Sequence, residues 1–542
     1  MTMSETIRHR DSVVFDNIAE FGKNSIRNIT QKLGLSKSAI FRSLKSLSKR
    51  NVHPESVFWE TEAGRQWLNR FVVATLYEFG IKGNHGAEKL STFFKRVRLE
   101  KHIGISPTAL RHQLKKMEMA IAKYQEIYGK KSGGTGTTQE IIASGDETFF
   151  NDMLTCVLMD LSSGYLIAEE AASDRSYETW KDMADEHLNP LGLEVRHFVS
   201  DRDKALIKLA LSGFGIAAGA YIFHFQYEIS KWLGPGFGRM MRGAKEKVKN
   251  ANEHLEYLKN SNANQEEILE AEREVGRAKA DHDVVQQQKD KYRNVQQSIS
   301  KSVHTFSIDD NSPKTSAQVK GELQQHMDQL QTLAAVNEIE DKKETLDKVR
   351  KQISDLASIV DVWWLWAIES LVGYGLGKEK QDWLLYSLLP VIYWYHQMIK
   401  ADNSDIKREY KKAWKKALSN WHAHPMTLKV SLDEINQWWS WAEWITGKFQ
   451  RASSPVEGRN GYLSQMYHNG RGLSKSRLKA LTVIHNFDLK RRDGTTAAQR
   501  LFNKEFPDLF DWIVDNMGAL PVPRQPRKQR IHNPLNLQLV PA

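Results

Sequence analysis

Between Ser144 and Leu206 the apolar residues fall in short runs whose period changes from strand-like to helical and back. Ser144–Asp152 and Met153–Ala172 together hold three such runs, divided at Asn151-Asp152 and at Ser162-Ser163-Gly164. Connections that short join only antiparallel neighbours, so three antiparallel strands are predicted. Ser176–Leu188 then takes up helical spacing, and Leu193–Leu206 returns to an apolar run. A strand reached through a helix can lie parallel to the first strand of the same sheet. The expected product is a mixed sheet with Asp146 on its first strand and Asp201 at the end of its fourth, in neighbouring positions.

Residues 1–129 read as helical and hold two similar signals about 70 positions apart. In the first, Ser25–Leu33 is apolar-periodic, Gly34-Leu35 turns the chain, and Ser36 N-caps a helix running to Arg50. This is a helix-turn-helix pattern. It points Ile40, Leu44 and Leu47 inward and leaves Lys37, Ser38, Arg42 and Lys45 facing a DNA major groove. In the second, Gly104-Ile105-Ser106 precedes Pro107 at a first helical position, with Arg111, His112, Lys115 and Lys116 on the outer face. A helical hairpin with a solvated basic side is the plainer alternative for each; DNA contact is the preferred reading of both.

Beyond Asp201, a helix over Asp203–Leu211 and a Gly-rich apolar helix ending near Lys231 are expected, with His224 a packed side chain. From Arg242 to Ser300 the apolar positions advance in steps of three and four: Val248, Ala251, Leu255 and Leu258, then, after Asn260–Asn264, Ile268, Ala271, Val275, Ala278, Val285, Tyr292 and Ile299. That is a coiled-coil seam, and the break predicts an antiparallel hairpin. Two more amphipathic helices should reach Val360. Trp363–Trp444 contains eleven of the sixteen tryptophans at mostly helical spacing, which favours a helical core over platforms for stacking unpaired bases. Lys407-Arg408, Lys411-Lys412 and Lys415-Lys416 make either a phosphate-binding face or a solvated helix side.

The division read from these patterns is a helical DNA-binding domain at 1–129 with two helix-turn-helix-like units, a linker at 130–140 and a first core part at 141–235. A coiled-coil and helical insertion follows at 236–360, a Trp-rich helical insertion at 361–450, the last core part at 451–520 and a basic Pro-rich tail at 521–542. The fold class is therefore an α/β core with an N-terminal helical domain and a large all-α insertion.

Composition narrows the class further. A chain of 542 residues can bury several cores, and Cys156 as its sole cysteine permits no internal disulfide. Cys156 sits in an apolar run and reads as a core side chain. The first residues have no apolar signal-peptide region, and Leu209–Phe225 and Trp383–Ile399 are too short and interrupted to span a membrane, so both are read as buried helices. A cytoplasmic, non-membrane protein is expected. The formal net charge of +11 points to a polyanionic partner.

Two level aspartates repel unless a cation lies between them, and a hard divalent ion takes oxygen ligands of this type. Asp146-Glu147-Thr148 on the first strand, Met159-Asp160 ending the second, Ser163-Gly164-Tyr165-Leu166, and Ser200-Asp201-Arg202-Asp203-Lys204-Ala205-Leu206 together resemble the catalytic core of insertion-sequence DDE transposases. The stretch Pro455–Gln465 resembles the block bearing that family's third acid, with Glu457 in its place. The resemblance implies an RNase H-like fold whose first three strands are antiparallel, and a catalytic and metal-binding triad of Asp146, Asp201 and Glu457 holding two Mg2+ or Mn2+ ions. It also implies double-stranded DNA as partner, both transposon ends and target, and a homodimer or higher oligomer on DNA in a bacterial cytoplasm, nucleoid-associated when bound. Arg459, Arg471, Lys475, Arg477, Arg491 and Arg492 are candidate phosphate contacts. Glu147, Asp160, Asp203 and Glu443 are rival carboxylates; the first three are placed respectively on the opposite sheet face, at a turn cap and inside the next helix. The expected activity is metal-dependent DNA cleavage and strand transfer at terminal inverted repeats; the alternative is a catalytically inactive or domesticated relative that binds DNA as a regulator.

Overall fold

Helical periodicity dominates the sequence, and the computed structural model is mostly helical. It describes residues 3–21, 25–129, 138–150, 153–201, 203–216, 218–220, 222–261, 263–451, 454–469 and 472–523. The chain divides into two compact units, one formed by Met1–Gly134 with Tyr462–Ala542, the other by Thr135–Gly461.

The first unit opens with α1 (Met3–Phe21), α2 (Ile26–Leu33) and α3 (Lys37–Arg50). Ser25 and Ser36 N-cap α2 and α3 through their hydroxyls. Between the two helices Gly34 takes φ +64°, a left-handed conformation that a side chain would strain. Val14, Ile29, Ile40 and Leu47 close a small core of their own. Next come α4 (Glu62–Thr75), α5 (Ala87–Arg96) and α6 (Pro107–Tyr124); Ser106 caps α6, with Pro107 at its first position.

The second unit is built on a five-stranded sheet of β1 (Gln139–Phe150), β2 (Met153–Asp160), β3 (Leu166–Ala172), β4 (Leu193–Ser200) and β5 (Ala218–Ala220), in the order β3-β2-β1-β4-β5. The first three strands pair antiparallel, and β4 lies parallel to β1, reached through α7 (Tyr177–Leu191). A short α8 (Lys204–Lys208) precedes β5, which pairs parallel with β4. Helices α9 (Ile222–Asn260) and α10 (Gln265–Ser302) fold back on each other, their seam closed by Ala251, Val275 and Ala278 with Val248 and Leu255 alongside. The helical remainder comprises α11 (Ser316–Val336), α12 (Lys343–Val372), α13 (Lys378–Trp383), α14 (Leu389–Lys400), α15 (Ser404–Ala423), α16 (Leu432–Gly447) and α17 (Ser454–His468). Trp363, Trp366, Trp383, Trp394, Trp421, Trp438 and Trp441 are buried in one core that also takes in Ile142, Val157 and Val199 of the sheet. Burial, not base stacking, accounts for these seven rings.

Several expected boundaries move. Leu209–Phe225 is not one helix: Gly215 turns at φ +69°, β5 follows, and α9 begins only at Ile222. Helix α9 then runs without a break through Gly234-Pro235-Gly236, so the division at 235/236 falls inside it. A Cβ on Gly236 would stand 2.7 Å from Ile339, and the glycine thereby admits close packing of the segment before α12. The division at 360/361 falls inside α12, because Leu356, Val360, Trp363 and Trp366 line one continuous buried face. Residues 236–360 and 361–450 share a core instead of forming two insertions.

The segment 451–520 is likewise divided. From Tyr462 onward it packs in the first unit, where α18 (Lys475–Phe487), α19 (Ala497–Phe502) and α20 (Leu509–Asn516) complete the helices. The turn at Asn151-Asp152, residues 130–137 of the linker and most of the tail lie outside the described residues. Among the described residues no helix is long and apolar enough to cross a membrane.

Cys156 is fully buried in β2, and burial pushes its thiol up to about 12. A thiol reagent is expected to label the native protein negligibly and to reach one equivalent in denaturant, as measured by mass spectrometry.

Candidate active site

Strand alternation sends Asp146 and Glu147 to opposite faces of β1. The parallel register pairs Ser144 with Val199, and counting two residues on from each brings Asp146 level with Asp201. Next to Asp146, Gly145 leaves room for the Phe198 ring, which would stand 2.9 Å from a Cβ there. Asp201 lies just past the end of β4 and accepts the backbone N–H of Asp203 at 2.9 Å. Asp203 is the N-cap of α8, accepting from the Ala205 N–H, and so lies at the helix start, not inside it.

Helix α17 brings the third acid. Antiparallel pairing places Asp146, Val157 and Glu169 in one row across β1, β2 and β3. Two successive residues of α17 reach the ends of that row. Arg459 donates from Nε and Nη2 to the two carboxylate oxygens of Glu169 at 2.7 and 2.6 Å, with both side chains buried. Asn460 donates from Nδ2 to Asp146 Oδ2 at 2.7 Å, while Asp146 Oδ1 accepts the Glu147 N–H at 3.0 Å. Glu457 precedes Asn460 by three positions and therefore shares its side of the helix. Its Oε1 lies 4.0 Å from His224 Nε2 on α9, and both side chains are about one-third exposed.

Burial raises the Asp146 carboxyl to about 7, and the charges of Asp201, Glu147 and Glu457 act in the same direction. Segments distant in sequence thus bring acids into electrostatic reach of one half-buried aspartate. Glu147 is held apart by Arg175 at 2.9 Å, and burial raises its pKa too.

The other rivals have structural duties. Asp160 accepts from the N–H and hydroxyl of Ser163 and from the Ile142 N–H, which makes it a turn cap. Glu443 is exposed on α16 and accepts from the Trp439 indole.

The candidate phosphate contacts separate into two groups. Lys37, Ser38, Arg42 and Lys45 are exposed along α3, as are His112, Lys115 and Lys116 on α6 and Lys475 on α18. Arg111 is exposed but paired with Glu88. Arg459 and Arg477 are corrected. Arg459 is consumed by Glu169, and Arg477 by Glu118 at 2.7 Å and the Gly80 carbonyl at 2.7 Å, because a buried guanidinium requires partners inside the protein. Arg471 lies outside the described residues; Arg491 and Arg492 are exposed.

Asn460 and Glu169 escaped the sequence reading. The signal for Glu169 was an acid within the apolar run of β3, which demands a cationic partner. That for Asn460 was its spacing of three from Glu457.

A family model described as a family of unknown function, DUF6399, matches residues 384–529. The match contains Glu457, Arg459 and Asn460 and leaves out Asp146 and Asp201. No curated protein matches the chain.

Proposed function

We propose that the chain is a DNA transposase of the DDE type, which binds the terminal inverted repeats of its element through the N-terminal helices and cuts and joins DNA at Asp146, Asp201 and Glu457. The observation that carries this reading is the level placement of Asp146 and Asp201, with the Glu457 charge reaching the same carboxylate. A sheet whose first three strands are antiparallel and whose fourth runs parallel to the first supports an RNase H-like core. The Ser36-capped α3, with four exposed polar or basic residues on one side, supports helix-turn-helix docking in a major groove. The six cations of α15, all exposed and spaced four apart in pairs, favour contact with a phosphate backbone.

The donor set suits two Mg2+ or Mn2+ ions. It is all oxygen, burial and then the charges of Asp201, Glu147 and Glu457 raise the pKa of Asp146 in the absence of a cation, and it includes a buried Asn460 Oδ1 with no donor among the described residues. Asp146 and Asp201 would hold the ions together, with Glu457 completing one coordination shell. Bound there, such ions supply activation of water or a 3′-hydroxyl and stabilise the leaving oxygen. The chain's own part is to fix the carboxylates: Asn460 orients Asp146, the Asp203 N–H orients Asp201, and the Arg459–Glu169 pair seats the helix carrying Glu457.

The test is nicking and joining of DNA bearing the sequences that flank the gene, in Mg2+ and in Mn2+. Asp201→Asn and Glu457→Gln are expected to keep end binding and to lose about 10^3-fold in cleavage. Wild-type protein that binds these ends without cutting in either metal would leave the DNA-binding regulator as the better reading.

A further inference from the structure

A cavity of about 400 Å³ lies within the first unit, far in sequence from the carboxylate cluster. Arg8 of α1 and Arg65 of α4 line it, with Trp59 and Leu68 as apolar walls and Asn69 and His102 as polar ones. Leu520 and Val522 form a further side. That strap is drawn close because Gly104 donates its N–H to the Pro521 carbonyl, and a Cβ on Gly104 would stand only 2.7 Å from the Val522 oxygen.

The charges lining this cavity do not balance. Arg50 is matched: it donates to Glu60 at 2.9 and 3.1 Å and to Asp11 at 2.8 Å. That occupies both carboxylate oxygens of Glu60. Arg8 has no carboxylate within ion-pair distance among the described residues and donates only to the His102 carbonyl. Burial, and then the neighbouring Arg50, push its guanidinium down to about 10. Arg65 meets a backbone carbonyl at Glu60 and only a loose, exposed Asp16 at 3.7 Å.

Glu60 and Asp11 attract Arg8 only at longer range; a half-buried cation with no ion pair of its own is costly, and the missing partner is an anion. The His102 ring adds a second, independent sign. It is 3% exposed, and its Nε2 has no hydrogen-bond partner among the described residues. Burial lowers its proton affinity against the pull of Glu60, whose Oε1 lies 3.8 Å from the His102 Nδ1. Trp59 is itself stacked on Trp67 at 5.4 Å, which fixes a rigid planar wall.

We infer that this cavity binds a nucleotide, its phosphate on Arg8 and Arg65, its base against Trp59 and Leu68, and its polar base edge at Asn69 and His102. The volume falls in the range of small-ligand sites. Two sources share this chemistry, a free mononucleotide and the 5′-phosphorylated end of a strand. The inference does not rest on the transposase reading, since none of these residues belongs to the carboxylate cluster.

The test is calorimetric titration of the full chain with each of the four deoxynucleoside monophosphates, with inorganic phosphate, and with a 5′-phosphorylated single-stranded oligonucleotide. At least one mononucleotide is expected to bind with one-to-one stoichiometry and to raise the Tm. Arg8→Gln should weaken it about tenfold or more. Trp59→Leu should weaken the nucleotide and leave inorganic phosphate unchanged. Because burial and Arg50 outweigh the attraction of Glu60 and Asp11, and Arg8 has no ion pair of its own, Arg8→Gln should keep or raise the Tm of the unliganded protein. Competition by the oligonucleotide assigns the site to strand ends, and failure to compete assigns it to free nucleotide; both support a nucleotide site. The inference is overturned if no mononucleotide binds at millimolar concentration, if inorganic phosphate binds as tightly as the nucleotide, or if Arg8→Gln lowers the unliganded Tm and leaves affinity intact.

Discussion

Asp146→Asn should raise the stability of the metal-free protein and, if the chain is the transposase proposed, abolish strand cleavage. The Asp146 carboxyl is raised from 3.8 to about 7, by burial first and then by Asp201, Glu147 and Glu457. Below about pH 4 this group is protonated in both folded and unfolded chains and costs nothing. Between about pH 4 and 7 the unfolded chain loses the proton more readily than the folded one, so folding stability falls as pH rises. Above pH 7 the full penalty applies, about 2–4 kcal/mol after allowance for the partial exposure of the site. An amide at this position carries no charge at any pH. Its oxygen can accept the Glu147 N–H, and the Asn460 amide can rotate so that its unpartnered Oδ1 accepts the new N–H. The measurement is urea unfolding in EDTA at pH 8 and pH 4.5. The variant should be the more stable at pH 8, with its advantage reduced to about 1 kcal/mol or less at pH 4.5, and added Mg2+ should stabilise wild type more. A variant less stable than wild type at pH 8 in EDTA would mean that Asp146 is not under charge stress and that the crowding argument fails.

The first four strands could be read from the sequence because each of their connections is short or helical, whereas β5 lay hidden in a Gly-rich apolar stretch that reads as helix. Ser162-Ser163-Gly164 leaves β2 and β3 no arrangement but antiparallel, and α7 between β3 and β4 permits β4 to return parallel to β1. The hairpin was legible for a related reason: Asn260–Asn264 interrupts an otherwise regular seam, and Asn264 forms a capping box with Glu267 at the start of α10. The limits of the elements were harder. Pro235 between two glycines reads as a stop, yet α9 passes through it because packing of Trp232, Leu233 and Phe237 outweighs one lost backbone hydrogen bond. Likewise the tryptophan-rich stretch looks like a separate region by composition, while α12 shares its buried face with what precedes it.

At the site, acids were easier to find than their supports. The proposed acids Asp146 and Asp201 are singled out by position, on β1 and just past β4, and Glu457 through the resemblance of Pro455–Gln465. Arg459 in that same stretch invited a role on DNA because a lone arginine in a basic region is usually solvated. Only the row Asp146, Val157, Glu169 reveals that a buried carboxylate waits for it. Pairings of this kind depend on strand register and helix placement together, and no local pattern encodes both. The same applies to Arg477 and Glu118, which are 359 residues apart.

The largest stability loss is expected from breaking the Arg459–Glu169 pair on one side only. Both side chains are buried, and the two parallel hydrogen bonds at 2.6 and 2.7 Å offset a heavy desolvation cost. Arg459→Met leaves the Glu169 carboxylate buried without its guanidinium and should cost about 3–5 kcal/mol; Glu169→Leu, which strands the cation, should cost a similar amount. Replacing both together removes the charges with their desolvation penalty, so the double variant should recover most of that loss. Additive losses in the double variant would show that packing, not charge pairing, dominates the contact. The pair also sits one residue from Asn460 and two from Glu457, and that gives the cycle a second readout. If the ion pair serves only stability, the double variant regains cleavage along with its fold. If the bidentate geometry also sets the angle at which α17 crosses the sheet, the double variant is folded and still slow, with the defect in kcat and not in KM for DNA. The second outcome is expected, because an apolar contact fixes distance without fixing direction, and Glu457 reaches the cluster only through the orientation of that first helical turn.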